Sequence, residues 1–248
     1  MIGFFDSGSG GLSVLAALRR RAPHADAVYF GDTLHAPYGE RSGDALARLA
    51  DAGLETLRMF GAQEIVAACN TVSPHVLGGS AHGARIIEMT GPAARSLSAH
   101  KGARVLLLAT PATVLSGIYE RALVGTVYLD SLPIPGLAGA IEWDESETVI
   151  RGILRRALLS RKGERYDIVI LGCTHFPFVR EMFEEETGAM FGSVRIVDPA
   201  DAVAEAAVGA FSTYGSGRAY FYISQDSEPF RKRVERMFPY FSTTRVLQ

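Results

Sequence analysis

The chain contains only two cysteines, and both stand where an alternating strand-and-helix protein places reactive groups. Cys69 lies in the segment EIVAACNT and Cys173 in DIVILGCTH, each directly after an apolar run typical of a buried strand. Hydroxyl or amide side chains flank both thiols, and a proline that favours the start of a helix follows each of them. Because a helix N-terminus favours the thiolate, the two segments predict a matched pair of acid–base groups with lowered pKa.

Two matched thiols fit a symmetric reaction such as inversion at a carbon atom. One group removes a proton from one face while the other supplies a proton to the opposite face. His175, two residues after Cys173, is placed to tune that thiol or to donate to a carboxylate. The alternative interpretation is that both cysteines are small buried apolar side chains. Two cysteines 104 positions apart do not form a disulfide framework or a four-ligand zinc site.

A glycine-rich turn, Asp6-Ser-Gly-Ser-Gly-Gly11, follows the first apolar run and opens a helical pattern. Its backbone N–H groups and Ser7 would hold a carboxylate, and Asp6 would accept from an ammonium group. It does not match a dinucleotide-binding loop, because position 13 is serine, and no phosphate-binding G-K-[S/T] occurs. An ordinary turn is the alternative. Ala36–Gly39 is also a turn by composition, and an ordinary loop is again the alternative to a role in the site.

Short β-branched or apolar runs alternate with amphipathic helical patterns along the whole chain. This alternation predicts an α/β fold of parallel sheets with right-handed crossovers, and the length favours two smaller sheets over one broad sheet. The Pro- and Gly-rich stretch Asp130–Asp144 interrupts the pattern and is interpreted as a loop at an edge, over a cleft. The predicted strands are Ile2–Phe5, Ala27–Gly31, Glu64–Ala68, Arg85–Glu88, Ala103–Ala109, Thr126–Leu129, Asp167–Leu171, Val194–Val197 and Ala219–Ile223.

Composition excludes several classes of protein. With 48% apolar and 21% charged residues the chain is too apolar for a disordered protein, and its net charge of −2 gives no basic footprint for nucleic acid. The segment MIGFFDSG lacks the charged and apolar regions of a signal peptide, and apolar runs such as Val105–Ala109 are too short to span a bilayer. We therefore expect a cytoplasmic protein that binds neither nucleic acid nor membrane.

These segments together resemble the glutamate racemases of the cofactor-independent aspartate/glutamate racemase family. The resemblance is carried by IGFFDSGSGGLSVL, YFGDTLHAPYGERS, VAACNTVS, VLLLATPATVLSGIY, DIVILGCTHFPFV and YFYISQDSEPFRKRVERMF, and so covers nearly the whole chain. The aspartate type usually has glutamate at the position of His175, which favours the glutamate branch.

The resemblance implies a fold and a set of site residues. It implies two α/β domains, residues 1–89 plus 200–248 and residues 90–199, with glutamate bound in the cleft between them. Cys69 and Cys173 match the catalytic acid–base residues, and Asp6 and His175 match groups that assist them. Asp32 and Glu142 also match assisting groups, the latter in a poorly aligned region, and Thr110 or Thr113 is expected to contribute a hydroxyl. The implied substrate-binding residues are Asp6, Ser7, Tyr38, Gly39, Asn70, Thr71, Thr174 and His175.

The resemblance also implies a role and partners. It implies an isomerase that uses no cofactor and no metal, forms a homodimer and supplies D-glutamate for peptidoglycan. By the family pattern, Cys69 acts on D-glutamate and Cys173 on L-glutamate. The chain departs from the family at Ser9, which replaces an aliphatic residue, at Thr90-Gly91, and in a shortened DSLPIPGLAGAIEWD segment.

Three alternatives stay open at this point. Racemisation through pyridoxal phosphate needs a Schiff-base lysine, and none of Lys101, Lys162 and Lys232 lies in a segment that predicts a pocket. The same fold would also serve another acidic amino acid such as aspartate. A catalytically silent binding protein would keep the cleft, but it would not need both thiols.

Overall fold

A computed structural model describes residues 1–240 and 244–247. In these residues the strands form two separate sheets, one of seven strands and one of four. Helices cover both faces of each sheet, as expected when parallel strands are joined by crossover helices. No helix in the described part of the chain is long and apolar enough to cross a membrane.

The seven-stranded sheet has the order β11-β10-β2-β1-β3-β5-β4. Its pairs are parallel except for the short β4–β5 hairpin. The strands are β1 (Ile2–Asp6), β2 (Ala27–Gly31), β3 (Glu64–Ala67), β4 (Ser80–Ala81), β5 (Ala84–Glu88), β10 (Ala219–Ile223) and β11 (Thr244–Val246). Most residues of β1, β2 and β3 are buried on both faces, which explains why these strands are continuous apolar runs.

The four-stranded sheet has the order β7-β6-β8-β9 and is entirely parallel. Its strands are β6 (Arg104–Ala109), β7 (Tyr128–Pro133), β8 (Ile168–Gly172) and β9 (Arg195–Val197). The helices of the chain are α1 (Leu12–Arg21), α2 (Gly43–Met59), α3 (Thr90–Ser96), α4 (Pro111–Leu115), α5 (Ile118–Leu123), α6 (Leu137–Glu142), α7 (Glu147–Leu158), α8 (Arg180–Phe191), α9 (Pro199–Ala210) and α10 (Glu228–Met237).

The central strands of the two sheets follow the same order. In the first sheet β1 lies between β2 and β3, and in the second sheet β6 lies between β7 and β8. Strands β3 and β8, which precede the two cysteines, therefore occupy equivalent positions. Open α/β sheets bind ligands beyond the carboxyl ends of such strands, so this topology places both cysteines where a ligand site is expected.

The predicted fold class is confirmed: two α/β domains are built on two sheets of parallel strands. All nine predicted strands are present with small shifts at their ends, while the short β4 and β11 were not predicted. The first sheet takes strands from both ends of the chain and the second from the middle. Helices α3 and α9, which flank the predicted domain boundaries, pack against each other. The boundaries 1–89 plus 200–248 and 90–199 stay a prediction.

The prediction of a loop over Asp130–Asp144 is wrong. Strand β7 extends to Pro133 and helix α6 begins at Leu137. Proline is tolerated here because β7 is an edge strand, and Gly136, with a φ of 75°, supplies the left-handed turn before α6. Proline and glycine therefore mark an edge-strand end and a helix start, and apolar residues of the same stretch, such as Ile134 and Ile141, enter the core.

Candidate active site

Cys69 follows β3 at the carboxyl end of the first sheet. Its thiol lies 3.7 Å from the Ser7 hydroxyl, which comes from the turn after the adjacent strand β1. Only 4% of Cys69 is exposed. Burial, reinforced by the negative charge of Asp6, raises the pKa of Cys69 to about 12, although its hydrogen bond with Ser7 opposes this.

The expectation of a lowered thiol pKa is therefore wrong for Cys69. The segment after it is a single turn of 3-10 helix, Ser73–His75, and not an α-helix. The charge at a helix terminus arises from aligned peptide units, and one turn aligns too few of them to offset desolvation. A 3-10 segment, Phe176–Val179, also follows Cys173 before α8 begins.

Cys173 follows β8 and is paired with an imidazole. Its Sγ lies 3.8 Å from Nδ1 of His175, whose Nε2 lies 2.7 Å from Oε2 of Glu142. Burial alone would lower the pKa of His175, but its contacts with Cys173 and Glu142 raise that pKa well above its ordinary value. A protonated imidazole donates from both nitrogens, so His175 links the thiol to a buried carboxylate.

Glu142 is 1% exposed, and its carboxylate spans the two domains. Burial alone would raise its pKa, but His175, Ser9 and Arg233 together lower it, so Glu142 is ionised. The Ser9 backbone N–H and hydroxyl both donate to this carboxylate, the hydroxyl at 2.5 Å. The sequence resemblance suggested a role for Glu142, and the structure places it directly on His175.

Asp6, at the end of β1, contacts residues of both domains. Its Oδ1 accepts from the Gly8 backbone N–H at 2.8 Å, and its Oδ2 accepts from the Thr174 hydroxyl at 3.0 Å. Burial raises its pKa, although the charge of His175 opposes this. Asp6 thus contacts a substrate-binding candidate of the other domain while lying beside the Ser7–Cys69 pair.

Asp32, after β2, supports the turn that contains Tyr38. It accepts from the Tyr38 hydroxyl at 2.5 Å and from the Ser224 hydroxyl at 2.6 Å, and the His35 ring lies at 2.8 Å. Asp32 does not itself line the cavity, whereas Tyr38 and Gly39 do. Its structural position is that of a support for the turn.

A small cavity lined by several polar side chains lies between the two sheets, with a free volume of about 10 Å³. This is the space of about one water molecule. Neither Lys nor Arg occurs among the described residues that line it, so its donors are neutral apart from His175. The lining consists of Ser7, Pro37, Tyr38, Gly39, Cys69, Asn70, Thr71, Thr110, Ala138, Cys173, Thr174 and His175.

Both cysteines and every substrate-binding residue expected from the sequence line this cavity, except Asp6, which contacts the lining residue Thr174. The assisting candidates Asp32 and Glu142 do not line it. Pro37 and Ala138 were not anticipated. Thr110 lines the cavity and bonds to Thr71 at 3.0 Å, while Thr113 lies 2.9 Å from Thr110. The described residues contain no group of three or more His, Cys, Asp or Glu side chains that could hold a metal ion.

The side-chain amide of Asn70 is hydrogen-bonded at its oxygen but not at its nitrogen in the described structure. Its Oδ1 accepts from the hydroxyl of Tyr119, on α5 of the second domain, at 2.6 Å. Its Nδ2 is buried and has no hydrogen-bond partner among the described residues. A buried unpaired N–H is costly, so this amide is preset to donate to an acceptor in the cavity. Sequence reasoning missed Tyr119, because only the fold brings α5 to Asn70.

Two α/β domains with a small cavity between them, lined by one thiol from each, define an α/β protein whose ligand site lies between its domains. The chain belongs to the Asp/Glu/Hydantoin racemase family, whose model matches residues 12–207.

Similar proteins agree with this assignment. A glutamate racemase of Thermus thermophilus is 33% identical over 246 residues, covering 95% of this chain and 91% of the relative. Among solved structures, glutamate racemase RacE1 of Bacillus anthracis has a TM-score of 0.87 at 26% identity, covering 100% of this chain and 97% of that one. The Thermus thermophilus enzyme in complex with β-chloro-D-alanine has a TM-score of 0.80 at 31% identity, covering 100% and 96%.

Proposed function

We propose that the protein interconverts L- and D-glutamate by moving the Cα proton between Cys69 and Cys173. The observation that carries this proposal is that two thiols reach one closed cavity from equivalent strand ends of two different domains. The names of the similar proteins favour glutamate as the substrate. The reaction is an isomerisation, since one proton leaves Cα and another returns to the opposite face.

Neutral donors hold the substrate in this proposal. The hydroxyls of Ser7, Thr71 and Thr174 and the free Nδ2 of Asn70 face the cavity or lie in its wall. They bind the two carboxylates without a lysine or an arginine in the cavity lining. Donors preorganised in a water-free site stabilise the charge that develops when the Cα proton leaves.

The thiols reach their reactive form when the substrate binds. The pKa of Cys69, which burial raises to about 12, keeps that thiol protonated at neutral pH. The substrate ammonium group brings a positive charge into the cavity, and an opposite charge nearby favours the thiolate. On the other face, the protonated His175 donates to Cys173. The group on each face then acts as base for one enantiomer, Cys69 for D-glutamate and Cys173 for L-glutamate.

Substrate entry requires the domains to separate, because a cavity of about one water molecule does not admit glutamate. The contacts that must break include Thr174–Asp6, Tyr119–Asn70 and Thr110–Thr71, all of which join the two domains. Reclosing excludes water and completes the site. We further propose, from the family resemblance, a cytoplasmic homodimer that supplies D-glutamate for peptidoglycan.

The test uses Cys69→Ser and Cys173→Ser with L- and D-glutamate in deuterated water. Each variant should lose racemisation, because a serine hydroxyl is too weak a base. Each should still eliminate chloride from one isomer of 3-chloroglutamate, since elimination needs one base and no reprotonation at Cα. Cys69→Ser should prefer the L isomer and Cys173→Ser the D isomer.

The elimination is followed through its products. The thiolate takes the Cα proton, the C–Cl electron pair leaves as chloride, and the resulting enamine tautomerises and hydrolyses to 2-oxoglutarate and ammonium. Circular dichroism confirms that each variant is folded. The same isomer preference in both variants would place the thiols on one face and refute the two-base proposal.

A further inference from the structure

Arg233, on α10 of the first domain, is buried against the second domain. It is 4% exposed, and its guanidinium donates to the backbone carbonyls of Ile141 and Glu142 and to the carboxylate of Asp144. It also donates to the Ser9 hydroxyl at 2.9 Å. A planar guanidinium can serve several acceptors at fixed angles, so Arg233 fastens the end of α6 to the turn after β1.

These contacts converge on the carboxylate of Glu142. The Ser9 hydroxyl accepts from Arg233 and donates to Oε2 of Glu142, the same atom that binds Nε2 of His175. The guanidinium itself lies 3.6 Å from that oxygen. Ser9 and Arg233 therefore fix the position of the Glu142 carboxylate. Because they approach the same oxygen as His175, they also determine how strongly this carboxylate interacts with the imidazole.

Arg233 supports His175 by a second route. Its guanidinium lies over the ring of Phe178, 5.3 Å from the ring centroid. Phe178 in turn packs edge-on against the imidazole of His175, with 6.3 Å between the centroids. The imidazole is thus held by Glu142 at Nε2 and by Phe178 at its side, and Arg233 contacts both.

We propose that Arg233 and Ser9 are positioning residues that set the orientation of Glu142 and His175, and through them the reactivity of the Cys173 face alone. The proposal rests on the two-thiol reaction proposed above. Cys69 has different neighbours, Ser7 and Asp6, and neither contacts Arg233 by a hydrogen bond or ion pair in the described structure.

Rates of racemisation cannot separate the two faces. The enantiomers of glutamate have equal free energy, so kcat/KM must stay equal in the two directions whatever the mutation. Elimination from 3-chloroglutamate is irreversible and uses one base, which removes this constraint. The elimination rates of the L and D isomers therefore report on Cys173 and Cys69 separately.

The variants are Arg233→Met, Arg233→Lys and Ser9→Ala, with Arg231→Met as the matched control. Arg231 lies on the same helix and pairs with Asp226 at the surface. Arg233→Met should lower the elimination rate of the L isomer about tenfold or more and change that of the D isomer less than twofold. Hydrogen bonds to a charged group, such as those that Arg233 and Ser9 arrange around Glu142, are typically worth a factor of about ten or more. Ser9→Ala should act in the same direction, by roughly threefold, because it removes one donor to Glu142.

Lysine keeps the charge but cannot serve four acceptors at once, so Arg233→Lys should restore only part of the L-isomer rate.

A second measurement uses glutamate deuterated at Cα. In Arg233→Met the isotope effect on kcat/KM should rise for L-glutamate and fall for D-glutamate, because removal of the proton by Cys173 becomes the slower step. If Arg233→Met does not fold, Ser9→Ala and Arg233→Lys decide the question.

Equal losses for both isomers, or no loss beyond that of Arg231→Met, would overturn the proposal. The failure of the two-thiol reaction itself looks different. In that case the wild-type protein or the cysteine variants would already lack the expected isomer preference, before any change at Arg233.

Discussion

Gly10 offers a direct test of whether the two domains must close tightly for activity. It lies in the turn between β1 and α1, and a Cβ added there would lie 2.4 Å from Oγ1 of Thr174 and 2.7 Å from Nδ1 of His175. Both atoms belong to the second domain. The threonine side chain can rotate, but His175 is held between Cys173 and Glu142. Gly10→Ala therefore prevents full closure.

The size of the effect follows from these distances. An ordinary contact needs at least 3.4 Å, so the second domain must move away by roughly 1 Å. A displacement of about 1 Å in a catalytic arrangement costs on the order of 100-fold in rate. We expect kcat/KM for glutamate to fall about 100-fold. The free energy of unfolding should change little, because opening the cleft relieves the clash without disturbing either core.

Two other glycines supply the controls. Gly152 is exposed on α7 with no atom within 4 Å of an added Cβ, so Gly152→Ala should leave activity unchanged. Gly53 on α2 faces the Phe5 ring, only 2.2 Å from an added Cβ and inside the first domain. Gly53→Ala should therefore lower the free energy of unfolding by about 1–3 kcal/mol.

Racemisation followed by optical rotation and unfolding in urea measure the two effects. The reasoning would be refuted by Gly10→Ala with kcat/KM within threefold of the wild type. A loss of stability as large as that of Gly53→Ala would refute it equally, since the clash would then lie within a domain core.

Three further predictions concern binding, pH and cofactors. Tyr119→Phe removes the hydrogen bond that orients the Asn70 amide. It should raise KM for glutamate about 3- to 10-fold, which corresponds to one hydrogen bond, with a smaller change in kcat. A changed kcat at constant KM would contradict this. Because the pKa of Cys69 is raised in the folded state, the stability it contributes is complete below about pH 8.5 and is lost as pH rises towards 12. The free energy of unfolding should thus fall by about 1 kcal/mol more in the wild type than in Cys69→Ser between pH 8 and pH 9.5, as measured by urea titration. Racemisation should survive EDTA and show no absorption of a pyridoxal aldimine, and a loss of activity restored by a metal would contradict the cofactor-free reaction.

The sequence predicts the strands and the cavity lining well because both depend on local patterns. Residues that follow a buried parallel strand, such as Cys69 and Cys173, gather at the carboxyl edge of their sheets whatever the details of packing. The motif residues around them therefore come together as expected. The loop prediction over Asp130–Asp144 fails because proline and glycine mark both loops and the ends of elements, and only the fold distinguishes these uses.

Residues that act across the domain interface escape such patterns. Arg233 and Glu142 are 91 positions apart, and Tyr119 and Asn70 are 49 apart. An arginine on a polar helix and a tyrosine in the first turn of a short helix carry no local sign of a distant partner. The thiol pKa escapes prediction for a related reason, since it depends on burial in the closed cavity and not on the neighbouring sequence.

The unequal surroundings of the two thiols agree with the symmetry that a racemase needs. The enantiomers of glutamate can occupy one set of sites for their two carboxylates and ammonium group, and they then differ in the face from which the Cα proton points. Only the proton-transferring groups must lie on both faces, while the binding groups need no symmetry. Cys69 and Cys173 line the cavity from equivalent strands of the two sheets, β3 and β8, and Ser7 and His175 can therefore differ beside them. Each thiol must still be about as reactive as the other. Because their neighbours differ, a change beside one thiol, as at Arg233, is expected to affect proton transfer on that face only.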